Sequence, residues 1–221
     1  MEIHPIAYVR TDFPTKFGVP RQSGLTSLVS RVVFVKEYAS EEAIRGIEGF
    51  EYIWLIWGFD RSEKTHGLTV RPPRLGGNKR MGVFATRSPY RPNPIGLSSV
   101  KLLDVEKAKD GLTLLVAGAD VTDGTPVYDV KPYLPFTDSH AQAKAGFSDE
   151  TRAYELEVTF DTDVKEKDET MLAELKKILA LDPRPRYHDE GREYGFPFAG
   201  HEIKFFVRDN VLHVTDIEKS M

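Results

Sequence analysis

Short apolar segments bounded by turn residues dominate the first two-thirds of the chain. They are rich in β-branched, aromatic and leucine residues, and clusters of Gly, Pro, Asn and Asp separate them. Because helices do not alternate with these segments, a doubly wound parallel sheet is disfavoured, and an antiparallel sheet closed into a barrel is expected. The pattern predicts strands over residues 3–9, 27–35, 51–59, 81–85, 98–105 and 112–119.

Two helices are predicted in addition. Residues 40–47 fit a short helix, because Ser40 can cap its N-terminus and the two glutamates that follow complement its dipole. Residues 167–181 carry an amphipathic stripe of apolar side chains, and the proline-containing DPRPRY segment must end that helix. Two further strands are predicted over residues 201–207 and 211–217.

The chain is expected to form two units. The Asp209-Asn210 pair is a turn that makes the last two predicted strands a hairpin. We predict a mainly β fold, with an antiparallel β-barrel domain over residues 1–150 and a small α+β domain over residues 151–221. The polar stretch around residues 148–167 is interpreted as the join between them.

Composition excludes several kinds of site. The 221 residues include no cysteine, which rules out disulfides, thiolate zinc sites and a cysteine nucleophile. The six histidines show no metal-ligand spacing, and no metal site is predicted. Dinucleotide and P-loop phosphate motifs are absent, and Ser88 and Ser98 lie outside any nucleophile motif.

The net charge and the N-terminal sequence limit the kinds of partner that are expected. The net charge is −4, so a polyanion would have to be bound by a local basic patch. The first ten residues lack the basic-then-apolar pattern of a signal peptide, and no apolar run approaches the ~20 residues of a membrane helix. We therefore expect a cytoplasmic protein without a membrane partner.

One such basic patch lies within residues 71–101, hereafter the arginine loop. It holds seven cations and no acidic residue, and five prolines and several glycines are distributed among them. Proline fixes φ and glycine permits positive φ, so this backbone is expected to hold a defined shape. A shaped cationic loop predicts a site for an anionic partner.

Three other polar segments accompany the arginine loop. They are residues 17–25 (the early loop) with Arg21 and Gln22, the pair Asp60-Arg61 after an apolar strand, and residues 123–138, interpreted as a rigid proline-framed loop. Each segment alone is also explained as an ordinary turn, because turns use these residue types for backbone reasons. Together, ordered loops on one rigid scaffold indicate a functional site.

Four sequence motifs carry a resemblance to a known family. The run GVFATRSPYRPNPIGLS is preceded by VRPPRLGGNKR and followed by DGTPVYDVKPYLPF, and VPRQSGL stands in the early loop. These motifs resemble the TsaA-like, or TrmO, family of tRNA (adenine-N6)-methyltransferases. The resemblance implies a β-barrel enzyme, a homodimer, and methyl transfer from S-adenosylmethionine to N6 of threonylcarbamoyladenosine next to the anticodon of threonine tRNA.

The resemblance also implies site residues. Asp60 is a departure, because a histidine is expected at that position. Asp60 or Asp123 is expected to bind the cofactor ribose, Arg21 or Arg87 its carboxylate, and backbone amides of the DGTP turn its adenine. The complete expected cofactor set is Pro20, Arg21, Gln22, Asp60, Arg61, Arg87, Leu97, Asp123, Gly124, Thr125 and Pro126.

Catalytic and tRNA-binding residues complete the expectation. If the reaction uses a general base, Asp129 and Tyr133 are the candidates. A non-catalytic cofactor-binding regulator and a bare RNA-binding barrel remain alternatives, and DNA is not an expected partner. The cations expected to bind tRNA phosphates, unless they instead cap turns or pair with acids, are Arg71, Arg74, Lys79, Arg80 and Arg91.

Overall fold

The structure is a computed structural model that describes residues 2–62, 67–75, 79–108, 111–151, 154–165, 167–184 and 190–220. The described strands are β1 (Ala7–Arg10), β2 (Val29–Phe34), β3 (Tyr52–Gly58), β4 (Thr69–Val70), β5 (Met81–Gly82), β6 (Ile95–Ala108), β7 (Gly111–Ala117), β8 (Pro126–Pro132), β9 (Glu157–Phe160), β10 (Tyr194–Phe198), β11 (His201–Arg208) and β12 (Val211–Lys219). The α-helices are α1 (Glu41–Ile44), α2 (Pro135–Asp138) and α3 (Glu169–Ala180).

Six strands close into the predicted antiparallel barrel. Their order around it is β1-β2-β7-β6-β3-β8, and every neighbouring pair is antiparallel. Alternate side chains of each strand point inward, as the burial pattern of β7 shows, and they form a mainly aliphatic core. The mainly β fold and the barrel are thus confirmed.

The second unit is the predicted small α+β element. Its sheet has the order β10-β11-β12-β9, in which β12 and β9 are parallel and the other pairs antiparallel. Helix α3 begins at the N-cap Asp168, whose carboxylate accepts a hydrogen bond from Met171 N at 2.7 Å. Asp209 and Asn210 both have positive φ, which confirms the turn between β11 and β12.

Three local predictions were wrong. The segment 123–138 is not a loop throughout, because Pro126–Pro132 forms β8 between β1 and β3. Pro126 and Pro132 are the first and last residues of this strand, where they do not interrupt its hydrogen-bond ladder. Only Met81–Gly82 of the predicted strand 81–85 is extended, and Val83–Ala85 forms a 3-10 turn. The join at 148–167 contains β9.

Candidate functional site

The early loop is fixed against the barrel by its backbone. Gly24 N donates a hydrogen bond of 2.9 Å to Gly118 O at the end of β7. Gly118 has φ +82°, and a Cβ there would lie 3.1 Å from the Gly24 backbone. Both the positive φ and the close approach of the two backbones therefore favour glycine at position 118. Pro20 is buried in the same loop.

The two polar side chains of the early loop face different parts of the molecule. Arg21 Nη2 donates to the carbonyl oxygens of Asp182 at 2.8 Å and Arg184 at 3.3 Å, which belong to the C-terminal unit. Gln22 Oε1 instead accepts a hydrogen bond from Arg87 Nη1 of the arginine loop. The structure therefore brings the predicted residues Gln22 and Arg87 together and directs Arg21 to the second unit.

The remaining cations expected to bind tRNA differ in their contacts. Arg71 and Lys79 are exposed. Arg91 Nη1 donates to Thr86 O at 3.2 Å and so supports a local turn, as the alternative interpretation proposed, whereas Arg80 Nη1 donates to Thr69 Oγ1 of β4 at 3.0 Å. The side chain of Arg74 lies outside the described part of the chain.

The DGTP turn has its amides occupied. Asp123 N donates to Phe13 O, Gly124 N to Val9 O and Thr125 N to Thr122 O, at 2.8, 2.8 and 3.2 Å. A cofactor adenine could use these N–H groups only by breaking bonds that fix the turn, so the geometry does not favour the expected amide contact. Thr125 and the strand residue Pro126 are buried.

Asp123 and Arg61 form a second predicted pair. Arg61 donates to Asp123 O at 2.5 Å and to Pro14 O at 2.7 Å, and Lys16 Nζ donates to Arg61 O. The Asp123 carboxylate accepts from Arg10 Nη1 at 3.3 Å. The neighbouring Asp60 is exposed, which leaves its carboxylate facing solvent.

Three other predicted residues lie on the outer barrel surface. Asp129 is opposite Ile56 in the β3–β8 ladder, and its carboxylate pairs with Lys131 Nζ at 2.7 Å. Tyr133 packs its ring against Trp54, with centroids 5.4 Å apart. Leu97, also opposite Ile56, is 53% exposed.

A polar network that the sequence did not predict lies beside these residues. Trp57 Nε1 donates to Ser98 Oγ at 2.9 Å, and Ser98 Oγ donates to Asp120 Oδ1. Burial raises the pKa of Asp120, while bonds from Ser98 and the Ser23 amide and the charge of Arg87 act in the opposite direction. The only signal in the sequence is an aspartate directly after an apolar strand.

These contacts define one end of the barrel as the candidate site. Gln22 is joined to Arg87, whose charge acts on Asp120, and Arg61 is joined to Asp123 three residues further along the chain. An exposed guanidinium suits a carboxylate ligand, and the exposed Asp60 can accept from hydroxyl groups. This donor set fits the amino-acid and ribose ends of the expected cofactor.

Two features are absent from the described residues. No group of three or more His, Asp or Glu side chains within the described ranges is placed to hold a metal ion. No helix in the same ranges is long and apolar enough to cross a membrane.

Family models match both units of the chain. The model of the tRNA-methyltransferase O N-terminal domain matches residues 8–139, which contain five of the barrel strands and all of β1 except Ala7. The model of the TrmO C-terminal domain matches residues 150–220, which contain the second sheet and α3.

Individual relatives agree with these matches. A protein of Escherichia coli (strain K12) named tRNA (adenine(37)-N6)-methyltransferase is 41% identical, covering 90% of this chain and 88% of its own. An Archaeoglobus fulgidus protein named S-adenosyl-L-methionine-binding protein is 38% identical, covering 62% of this chain and 93% of its own. The crystal structure of TrmO from Pseudomonas aeruginosa superposes with a TM-score of 0.80 at 30% identity, covering 100% of this chain and 97% of its own.

Proposed function

The chain belongs to the tRNA-methyltransferase O family, and on that premise we propose that it is an S-adenosylmethionine-dependent tRNA (adenine-N6)-methyltransferase. The observation that carries the proposal is the 41% identity to the Escherichia coli enzyme, which extends through both units. We further propose that the methylated nitrogen is N6 of threonylcarbamoyladenosine beside the anticodon, that threonine tRNA is the substrate, and that the protein acts in the cytoplasm.

The cofactor is proposed to bind at the end of the barrel where the early and arginine loops meet. S-adenosylmethionine supplies a methyl group already activated on a sulfonium. Arg87 is the preferred partner of its carboxylate, because Arg87 is exposed and held by Gln22, whereas Arg21 binds the C-terminal unit. We assign the ribose to Asp60 because its carboxylate is exposed, and the exposed Leu97 offers apolar surface. The other expected cofactor residues belong to the same proposal.

Alignment is the main catalytic task of the protein. The sulfur, the methyl carbon and the acceptor nitrogen must lie nearly in line, which requires loops that do not move. The Gly24–Gly118 bond and the Arg61–Asp123 bond supply that rigidity. The N6 proton is acidified by the neighbouring carbonyl of the modification. Should a base assist, Asp129 and Tyr133 remain our candidates.

We propose that the arginine loop also binds tRNA. Arg71 and Lys79 are exposed on the same loop as Arg87 and are free of acidic neighbours in sequence. Arg80 and Arg91 shape the loop through their hydrogen bonds and also add charge. Phosphate contacts of this kind position a nucleic acid without reading its sequence. Arg74 belongs to the same proposal.

A homodimer is part of the proposal as well. Leu68 and Phe84 are 81% and 75% exposed and flank the paired strands β4 and β5, with Leu68 directly before β4 and Phe84 two residues after β5. Contiguous exposed apolar patches mark association surfaces, so we propose that these two side chains belong to the dimer interface. Light scattering of the purified protein should give twice the mass of the chain, and a monomer would refute the dimer.

The decisive test is mass spectrometry of tRNA nucleosides after incubation with the enzyme and S-adenosylmethionine. We expect threonylcarbamoyladenosine to gain the mass of one methylene. Arg87→Met should raise the KM for the cofactor about tenfold, because a charge-assisted pair is lost. Arg31→Met is the matched control, since Arg31 is an exposed barrel arginine that pairs with Glu106.

The outcomes separate the alternatives. Cofactor binding without any methylated nucleoside would favour the non-catalytic regulator. Methylation of an adenosine that lacks the threonylcarbamoyl group would retain the enzyme and overturn the finer substrate. RNA binding without cofactor binding would favour the bare RNA-binding barrel.

A further inference from the structure

Asp120 lies three residues beyond the end of β7, where partial burial is costly for its charge. Asp120 follows the β7 core residues and lies next to the buried Ala119 and Val121. Isolated burial of a carboxylate is strongly unfavourable, and burial accordingly raises the pKa of Asp120. A carboxylate kept in such a place needs specific partners, and those partners indicate its role.

Two barrel strands fix one side of Asp120. Ser98 of β6 is 1% exposed, and its hydroxyl donates to Asp120. The indole of Trp57 on β3 donates to that same Ser98 hydroxyl at 2.9 Å, which fixes its direction. Gly96 permits this arrangement, because a Cβ there would lie 2.3 Å from the Trp57 ring. The orientation of the carboxylate is therefore set by rigid strands.

The other side of Asp120 faces the proposed cofactor loops. The amide of Ser23 in the early loop donates to its carboxylate, and the positive charge of Arg87 acts on it. Arg87 in turn donates to Gln22, which is the residue before Ser23. The carboxylate thus lies between the strand-anchored Ser98 hydroxyl and the two loops that are proposed to bind the cofactor.

We propose that Asp120 is a positioning residue for cofactor binding, which holds the early loop at Ser23 and orients the Arg87 guanidinium through its opposite charge. Ser98 and Trp57 form the support that aims Asp120. This proposal rests on the cofactor site proposed above and adds a residue outside the set expected for it. Asp120 acts through Arg87 and the early loop and touches neither the transferred methyl group nor the acceptor base.

The test measures S-adenosylmethionine binding by calorimetry in the full chain. Asp120→Asn preserves the shape and the acceptor for Ser98 but removes the charge. We expect its Kd to rise about tenfold, while the midpoint of thermal unfolding stays equal or rises because a buried charge is gone. Asp104→Asn is the control, since Asp104 is an exposed aspartate on β6 whose carboxylate accepts from the amide of the next residue, Val105.

A double-mutant cycle separates positioning from a general structural effect. If Asp120 acts largely through Arg87, then Asp120→Asn combined with Arg87→Met should bind little worse than Arg87→Met alone. Ser98→Ala should reproduce part of the loss, because the carboxylate then loses its directed donor. Multiplicative losses in the double variant would overturn the proposal.

The controls also distinguish this proposal from the proposed function. Wild-type binding together with a loss in Arg87→Met supports the cofactor site itself. A wild-type Kd for Asp120→Asn under those conditions would overturn the role of Asp120 and leave the function standing. Failure of the wild-type protein to bind would overturn both.

Discussion

The barrel and the C-terminal unit fill their interiors with different side chains. The barrel core consists mainly of aliphatic residues, and Val9, Ile53 and Leu114 are among those that are completely buried. The C-terminal core contains several fully buried phenylalanines, including Phe196, Phe198 and Phe205. Branched aliphatic side chains fit the narrow interior of a six-stranded barrel, whereas the wider gap between a sheet and a helix takes aromatic rings.

The comparison shows that the early loop belongs to both units. Phe13, Phe17, Val19 and Leu28 lie between β1 and β2, yet they pack in the aromatic core of the C-terminal unit. Phe13 approaches Phe198 with ring centroids 5.4 Å apart. The chain division near residue 150 is therefore not a division between cores, and our domain boundary stays a prediction. The loop expected to bind cofactor is held from two sides.

The largest expected effect comes from breaking this shared core. Phe13→Ala should lower the free energy of unfolding by about 3–5 kcal/mol, because Phe13 is 1% exposed and leaves a cavity. Phe136→Ala should change it by less than about 0.5 kcal/mol, since Phe136 is 82% exposed. Urea denaturation measures both, and equal effects would show that Phe13 does not belong to the second core.

A smaller effect is expected where the early loop touches the aromatic core through glycine. Gly18 has φ +86°, and a Cβ there would lie 2.4 Å from the Phe196 ring. Gly18→Ala should cost about 1–3 kcal/mol more than Gly46→Ala. Gly46 has φ +90° but no atom within 4 Å of a built Cβ, so it reports the backbone strain alone. Equal losses of stability would disprove the contact with Phe196.

The smallest effect concerns a polar bond between the units. Glu174 of α3 is buried, and its carboxylate accepts from Ser27 N at 2.9 Å and from Lys177 Nζ at 2.6 Å. Glu174→Gln should destabilise the chain by about 1 kcal/mol, because the charge that strengthens both bonds is lost. The exposed Glu155→Gln in the same unit should be neutral in the same denaturation experiment. An unchanged free energy of unfolding for Glu174→Gln would show that the charge of Glu174 does not stabilise the contact between the units.

The sequence was sufficient for the barrel because period-two apolar patterning is a local property. It also revealed α3, whose stripe and Asp168 cap lie within one segment. Strand β8 was missed because two prolines suggest a loop until their positions at the strand ends are known. Strand β10 contains Pro197 and Gly195, which again hide the pattern.

The candidate site was predictable only in part, since its contacts join distant segments. The early and arginine loops stood out by composition, and the structure joins them through Gln22 and Arg87. Asp120 meets Ser98 and lies near Trp57 only because β3, β6 and β7 adjoin in the closed barrel. No local sequence pattern predicts a contact between side chains on different strands. The same holds for Arg21, whose partners at 182 and 184 lie in the second unit.

The placement of Phe13 in the second core has a consequence for synthesis on the ribosome. The same core includes Phe17 of the early loop, and also Phe205 and Val214, which lie on β11 and β12. The early loop therefore lacks its contacts with this core until those strands have emerged and paired, and contacts of such large sequence separation form slowly. We expect a nascent chain arrested before β11 to contain a folded barrel whose early loop is not yet fixed. The ability to bind S-adenosylmethionine is then the last property that the chain gains during synthesis.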